Sequence, residues 1–303
     1  MRFATVPVAC ISRNISPAMR LRFKRGRRDE LITLHPAYFA LVMATGIVAL
    51  AAYLHGIPIV PTVLFWLNAL FFVALVTATV ARVWLYPKAF VADICSHSRG
   101  VGYFTVVAAS GVFGSQLVLQ MGVLGPAIFF WIVGGVLWFV VTYGELAVLM
   151  VKVNKPTLVD GLNGGWLVSV VAAQSVAILT VLILPSGVSH GLQQPLMFAA
   201  LVLWLGGGAL YLWLMTLIFF RYTFLPMTAE DLTPPYWINM GAVAISTLAG
   251  TMLLGQSELS PIVTARGAES TKGRQRHEEE YHTRIDQRDG ADRRSLAGCR
   301  REL

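Results

Sequence analysis

Charge is what this chain lacks most. Only 13% of its 303 residues are Asp, Glu, Lys or Arg, against about 25% in a soluble globular domain. The mean hydropathy is +0.64. An ordinary water-facing surface is therefore excluded. Cysteine is scarce too: Cys10, Cys95 and Cys299 have neither pairing nor metal-ligand spacing, so no disulfide framework and no zinc site are expected. The centre of every long apolar run is without Lys or Arg, which removes a Schiff-base lysine. Nor do paired carboxylates or histidine clusters sit at mid-run depth, where proton pumping or metal catalysis would need them. A membrane-embedded enzyme loses its chemistry on that ground, and no cofactor is expected.

What the chain has instead is seven apolar segments, roughly 34–54, 61–81, 101–121, 123–150, 165–185, 196–220 and 236–255. Each is long enough to cross a hydrocarbon core of about 30 Å as a helix. The expected fold is all-α, a polytopic transmembrane bundle. A basic segment covers 1–32, the transmembrane domain 33–255 and a polar tail 256–303. Arg20, Arg22, Lys24, Arg25, Arg27 and Arg28 crowd just before the first run. So placed, they read as a topogenic signal that attracts anionic lipid rather than nucleic acid. The short apolar stretch near the start is interrupted by Pro7 and followed by arginines, unlike a cleavable signal peptide, and Met19 is an alternative start.

The connections alternate in charge. LHGIPIVP, QMGVLGP and PSGVSHGLQQP, after the first, third and fifth segments, contain no Lys or Arg. The others carry Arg82, Lys88 and Arg99, then Lys152 and Lys155, then Arg221. The positive-inside rule puts that basic side, and the N-terminus, in the cytoplasm of a plasma (inner) membrane. An inside N-terminus and the missing ligand-anchoring charge disfavour a seven-helix sensor. Seven spans leave the mixed-charge tail outside, where its low apolar content predicts disorder.

Side-chain size alternates as well. Odd segments are rich in small residues (ALVMATGIVALAA, VVAASGVFGSQ), whereas even ones are bulky (LFWLNALFFVALV, AIFFWIVGGVLWFVV). Small residues let helices approach closely, so an inner ring of odd helices and an outer ring of even ones is expected. Odd segments start near 34, 101, 165 and 236, the spacing of a repeated helical hairpin. Gly46, Ser110, Gly111, Gly114, Gln174, Ser175, Asn239, Gly241 and Ser246 lie on these odd segments. They are the candidate lining of a neutral, narrow conduit whose weak donors suit a small anion without trapping it. Basic residues at one mouth would concentrate anions there. Glycine mid-helix costs about 1 kcal/mol relative to alanine, so close packing or a local opening is expected at Gly46, Gly111 and Gly241.

The stretches HPAYFALVMATGIVALAAYL, RVWLYPKAFVADICSHSRGVGYF, VDGLNGGWLVSVVAAQSVAIL and PPYWINMGAVAISTLAGTMLL resemble the tellurite-resistance/C4-dicarboxylate transporter family, relatives of the plant slow-type anion channels. The likeness spans about 33–255. It implies five hairpins around a central pore lined by odd helices, trimeric assembly, and movement of dicarboxylates, chloride, nitrate or tellurite-type oxyanions. The family's pore-occluding phenylalanine belongs to a ninth helix and is not carried over. The departure after the seventh segment is expected to reflect a truncated or frame-shifted gene, whose product would lack part of its pore wall.

Overall fold

The computed structural model describes residues 31–153, 155–226 and 234–256. The basic cluster from Arg20 to Arg28, Glu230, Asp231, Cys10, Cys299 and the tail beyond 256 lie outside them. Seven helices are long and apolar enough to cross a membrane. These are α1 (Ala40–Leu54), α2 (Val60–Leu85), α3 (Phe104–Leu119), α4 (Leu124–Val151), α5 (Val168–Gly187), α6 (His190–Phe224) and α7 (Ile238–Gly255). Two short helices, Pro87–Ile94 and Leu158–Gly161, lie in the basic connections.

The far-side connections are tight. After α1, Gly56 takes φ +68° and the Ile57 N–H reaches back to the Ala52 carbonyl. After α3, Gly122 takes φ +64° and the Val123 N–H reaches Leu117. Both are left-handed helix ends that only glycine adopts freely, and they turn the chain straight into the next span. The third far-side connection is shorter than its sequence predicts. α6 starts at His190, so Pro195 falls inside the helix instead of at its entrance. Gln193 Nε2 sits 3.3 Å from the Leu184 and Val188 carbonyls and serves the end of α5, which has no other room to turn.

Short turns make each even helix antiparallel to the odd one before it, so all four odd helices run the same way. Sequential odd helices pack side by side, α1 on α3, α3 on α5 and α5 on α7, while α1 and α7 form no extensive contact. The result is an open arc. Even helices back it: α2 covers α1, α4 covers α3 and α5, and α6 covers α5 and α7. Of the apolar stretch in each span, 83% is buried for α3 and 94% for α5, against 17%, 11% and 22% for α2, α4 and α6. The expected inner layer is therefore present at α3 and α5, with the even helices outside them. At the ends of the arc, α1 and α7 are only 28% and 22% buried, because each has an inner neighbour on one side alone.

Buried polar groups tie hairpins together. Asn68 Nδ2 of α2 donates to Gln116 Oε1 of α3 at 2.6 Å. Trp131 Nε1 of α4 donates to Thr180 of α5, and Trp204 Nε1 of α6 to the Ser246 carbonyl of α7. In an apolar surround such bonds are rarely exchanged for water, which fixes helix rotation.

Candidate functional site: a vestibule at the inner-helix N-termini

Every inner helix is entered through one turn of 3-10 helix. These turns start at Pro36, Gly100, Gly164 and Pro234, steps of 64, 64 and 70 residues, so the internal repeat is structural as well as compositional. The turns pack against one another in sequence, and glycine sets their distance. A Cβ on Gly102 would fall 3.0 Å from the Ala37 nitrogen, and one on Gly164 would overlap the Pro235 carbonyl. Thr105 Oγ1 stitches two turns together, 3.0 Å from the Pro36 carbonyl and 2.6 Å from that of Gly102.

The four turns surround a cavity of about 450 Å³, lined among others by His35, Ala37, Ala40, Met43, Thr105, Asn163, Gly165, Val168 and Ile238. Two side chains cap the turns from inside it. His35 Nδ1 accepts from the Ala37 N–H at 3.1 Å, and Asn163 Oδ1 accepts from the Gly165 N–H at 2.8 Å. Parallel helices that begin around one cavity aim the positive ends of their dipoles at it, an arrangement that favours an anion.

A charge cluster beside the cavity anchors the first turn. Arg82 reaches Asp93 at 2.6 Å and donates to the Leu34 and Ile32 carbonyls. Arg99 pairs with the same carboxylate at 2.7 Å and also donates to Leu34. Two guanidinium groups against one carboxylate leave this rim net positive. Burial first, then Arg99 and Arg82 against the opposing pull of Asp93, holds the His35 ring below its ordinary pKa. It is therefore neutral at neutral pH, as its accepting role requires.

The floor of the cavity is apolar. Met43 lines the cavity and packs against a cluster in which Val107, Ala108, Val171, Ala172 and Ala242 are buried. An apolar layer lies there.

None of the nine residues expected to line a conduit borders this cavity. Gly46 is packed by Val112, Asn68 and Gln116, and Ser110 looks toward Gly134 of α4. Gln174 lies against Gly207 of α6 and donates to the Trp204 carbonyl. These three occupy the same position in successive repeats, ten residues after the turn start, and each meets the outer helix of its own hairpin. Gly111 and Ser175 are brought together across the α3–α5 seam, with Gly114 against Leu179 beside them. Asn239 donates to the Tyr222 hydroxyl, Ser246 to the Ala242 carbonyl, and Gly241 is exposed with open space around it. Asn163 and Thr105 escaped the sequence reading. Asn163, an amide just before a glycine pair that opens a helix, carried a cap signal that was there to be used.

Repeated hairpins, parallel inner helices and a vestibule at their shared end define a polytopic α-helical membrane protein of transport type. The chain belongs to the SLAC1 family, described as voltage-dependent anion channels, whose pattern it matches over residues 33–272. It is similar to two uncharacterized transporters of Methanocaldococcus jannaschii. One is 26% identical over 237 residues, 76% of this chain and 67% of the relative. The other is 27% identical over 253 residues, 78% of this chain and 68% of the relative. An uncharacterized membrane protein of Mycobacterium tuberculosis is 36% identical over 58 residues, 19% of this chain and 29% of that protein. No solved structure matches the chain. The family resemblance read from the sequence is thus established, and it supports transport of anions in general.

Proposed function

We propose that the chain moves small anions along the concave face of the inner-helix arc, entering through the vestibule, with its basic end in the cytoplasm of a plasma membrane. The observation that supports this most is the gathering of four parallel helix N-termini around one cavity with a net-positive rim. Chloride, nitrate, C4-dicarboxylates and tellurite-type oxyanions are the substrate classes in view. In this reading the apolar layer at Met43 and Val107 is the closed point of the path, and an apolar constriction of that kind opens by wetting. The small residues Gly111, Gly114, Ser175 and Gly46 keep the wall helices close, while Gly241 is exposed with nothing packed against it. Trimeric assembly follows from the resemblance alone.

A second reading is favoured by one observation. Because α1 and α7 do not close on each other, the wall built by the described residues is open on one side. It would then conduct only when that side is covered. The test is anion flux into proteoliposomes holding the purified full chain, with chloride, nitrate, succinate and tellurite compared. Saturable entry of at least one anion, without matching entry of sodium, supports the first reading. Equal leak of sodium and anions contradicts it, and no flux of any anion supports the second.

A further inference from the structure

A second cavity, of about 290 Å³, lies away from the vestibule, between the basic ends of α4 and α6 and the entry to α5. Its lining is mostly apolar, with five polar side chains: His97, Thr142, Glu145, Thr157 and Ser169. Of these, Ser169 donates to the Trp166 carbonyl and Thr157 is also engaged. Glu145 is 4% exposed, and its Oε1 has no hydrogen-bond partner among the described residues. No ion pair to it occurs among the described residues. Thr142 Oγ1 and His97 Nδ1, also on the wall, are likewise buried without a partner among the described residues. Gly100 leaves room for the carboxylate: a Cβ there would overlap Glu145 Oε1. Lys152 Nζ donates to the Cys95 carbonyl at 2.8 Å.

Three unmet acceptors around one cavity are unusual, because buried polar groups are almost always paired. A carboxylate taken out of water without a cation is less favourable still. His97 does not supply that cation. Burial, then Lys152 and Lys155, hold its ring below the ordinary histidine pKa, so it is neutral and has a nitrogen free to accept. An ammonium group carries one positive charge and three N–H donors and has no acceptor of its own. Phe104, Trp166 and Trp213 line the same space. Aromatic rings attract an ammonium and accommodate an apolar body.

We propose that this cavity is a binding site for a primary amine with an apolar body, its ammonium donating to Glu145 and to the Thr142 and His97 acceptors. The site is independent of the anion path, although it touches the turns that open α3 and α5.

The full chain in lipid nanodiscs is titrated with phenethylamine by calorimetry, with phenethyl alcohol as the uncharged isostere and empty nanodiscs subtracted. Saturable amine binding is expected, weakened at least ten-fold by Glu145→Gln, with the alcohol no tighter on the native chain than on that variant. Should Glu145→Gln fail to assemble, Thr142→Val, which keeps the shape, must weaken the amine and spare the alcohol. Absence of amine binding to the native chain overturns the proposal. So does equal binding of amine and alcohol, or amine binding that neither substitution changes.

Discussion

Four glycines on inner helices look alike in the sequence and meet very different surroundings in the fold, which makes alanine at each a graded test of the packing. At Gly111 a Cβ would lie 2.8 Å from Ser175 Cβ and Oγ and 3.1 Å from its backbone carbon, so α3 and α5 must separate. At Gly46 it would lie 2.5 Å from Val112 Cγ1 and 3.0–3.1 Å from Asn68 Nδ2 and Gln116 Oε1, wedging apart a buried hydrogen-bonded pair. At Gly114 the obstacle is the end of the Leu179 side chain at 2.5 Å, which can swing aside. Nothing lies within 4 Å at Gly241. Overpacking costs about 1–3 kcal/mol, and exchanging a mid-helix glycine for alanine returns about 1 kcal/mol of helix propensity. Gly111→Ala and Gly46→Ala should therefore lose about 1–2 kcal/mol net, Gly114→Ala close to nothing, and Gly241→Ala should gain up to about 1 kcal/mol. Thermal unfolding in detergent, followed by loss of the monodisperse size-exclusion peak, ranks the four. If Gly111→Ala is neutral, or Gly241→Ala as harmful as Gly111→Ala, the seam between α3 and α5 has been misplaced.

Breaking the charge cluster by Asp93→Leu strands Arg82, which is only 3% exposed, and should cost about 3 kcal/mol, the lower end for a broken buried pair because two carbonyls still hold the guanidinium. Adding Arg82→Met should recover much of it, and a double-mutant melt that shows simple additivity would contradict the pairing. Both His35 and His97 have pKa values lowered from 6.5 in the fold, so the unfolded chain takes up protons first. Stability should be level above neutrality and fall as pH drops through about 6.5, and a melt series on His35→Gln/His97→Gln should show a shallower fall. Met43→Ala removes a partly buried side chain from the vestibule floor. About 1–2 kcal/mol of stability should be lost, and anion flux should rise; an unchanged flux would show that the floor is not the closed point.

Span count was legible because it rests on the length of the apolar runs, which the membrane enforces. The layering of α3 and α5 inside α2, α4 and α6 was legible from side-chain size. Helix rotation was not. In a helix apolar on every side no period marks the buried face, so small residues signal close approach without naming the neighbour. That is why Gly46, Ser110 and Gln174, grouped in sequence as conduit lining, turn out to meet Asn68, Gly134 and Gly207 on the outer helices. The start of α6 was misjudged for a related reason. Pro195 reads as a helix entrance, yet a side-chain amide at Gln193 lets the turn close five residues earlier. Glu145 and His35 stood out as ionisable groups at segment ends, but only the folded chain makes His35 a neutral helix cap and leaves Glu145 Oε1 without a partner among the described residues.

The central claim, that anions pass through the vestibule, is tested most directly by filling it. Ala40 lines the cavity and is exposed, so Ala40→Trp places bulk in the mouth without disturbing a buried seam. Ala147, exposed on α4, is the matched site on the outer layer. In proteoliposome anion flux, Ala40→Trp should abolish most of the transport while Ala147→Trp leaves it near the native rate. Undiminished flux in Ala40→Trp would contradict the account.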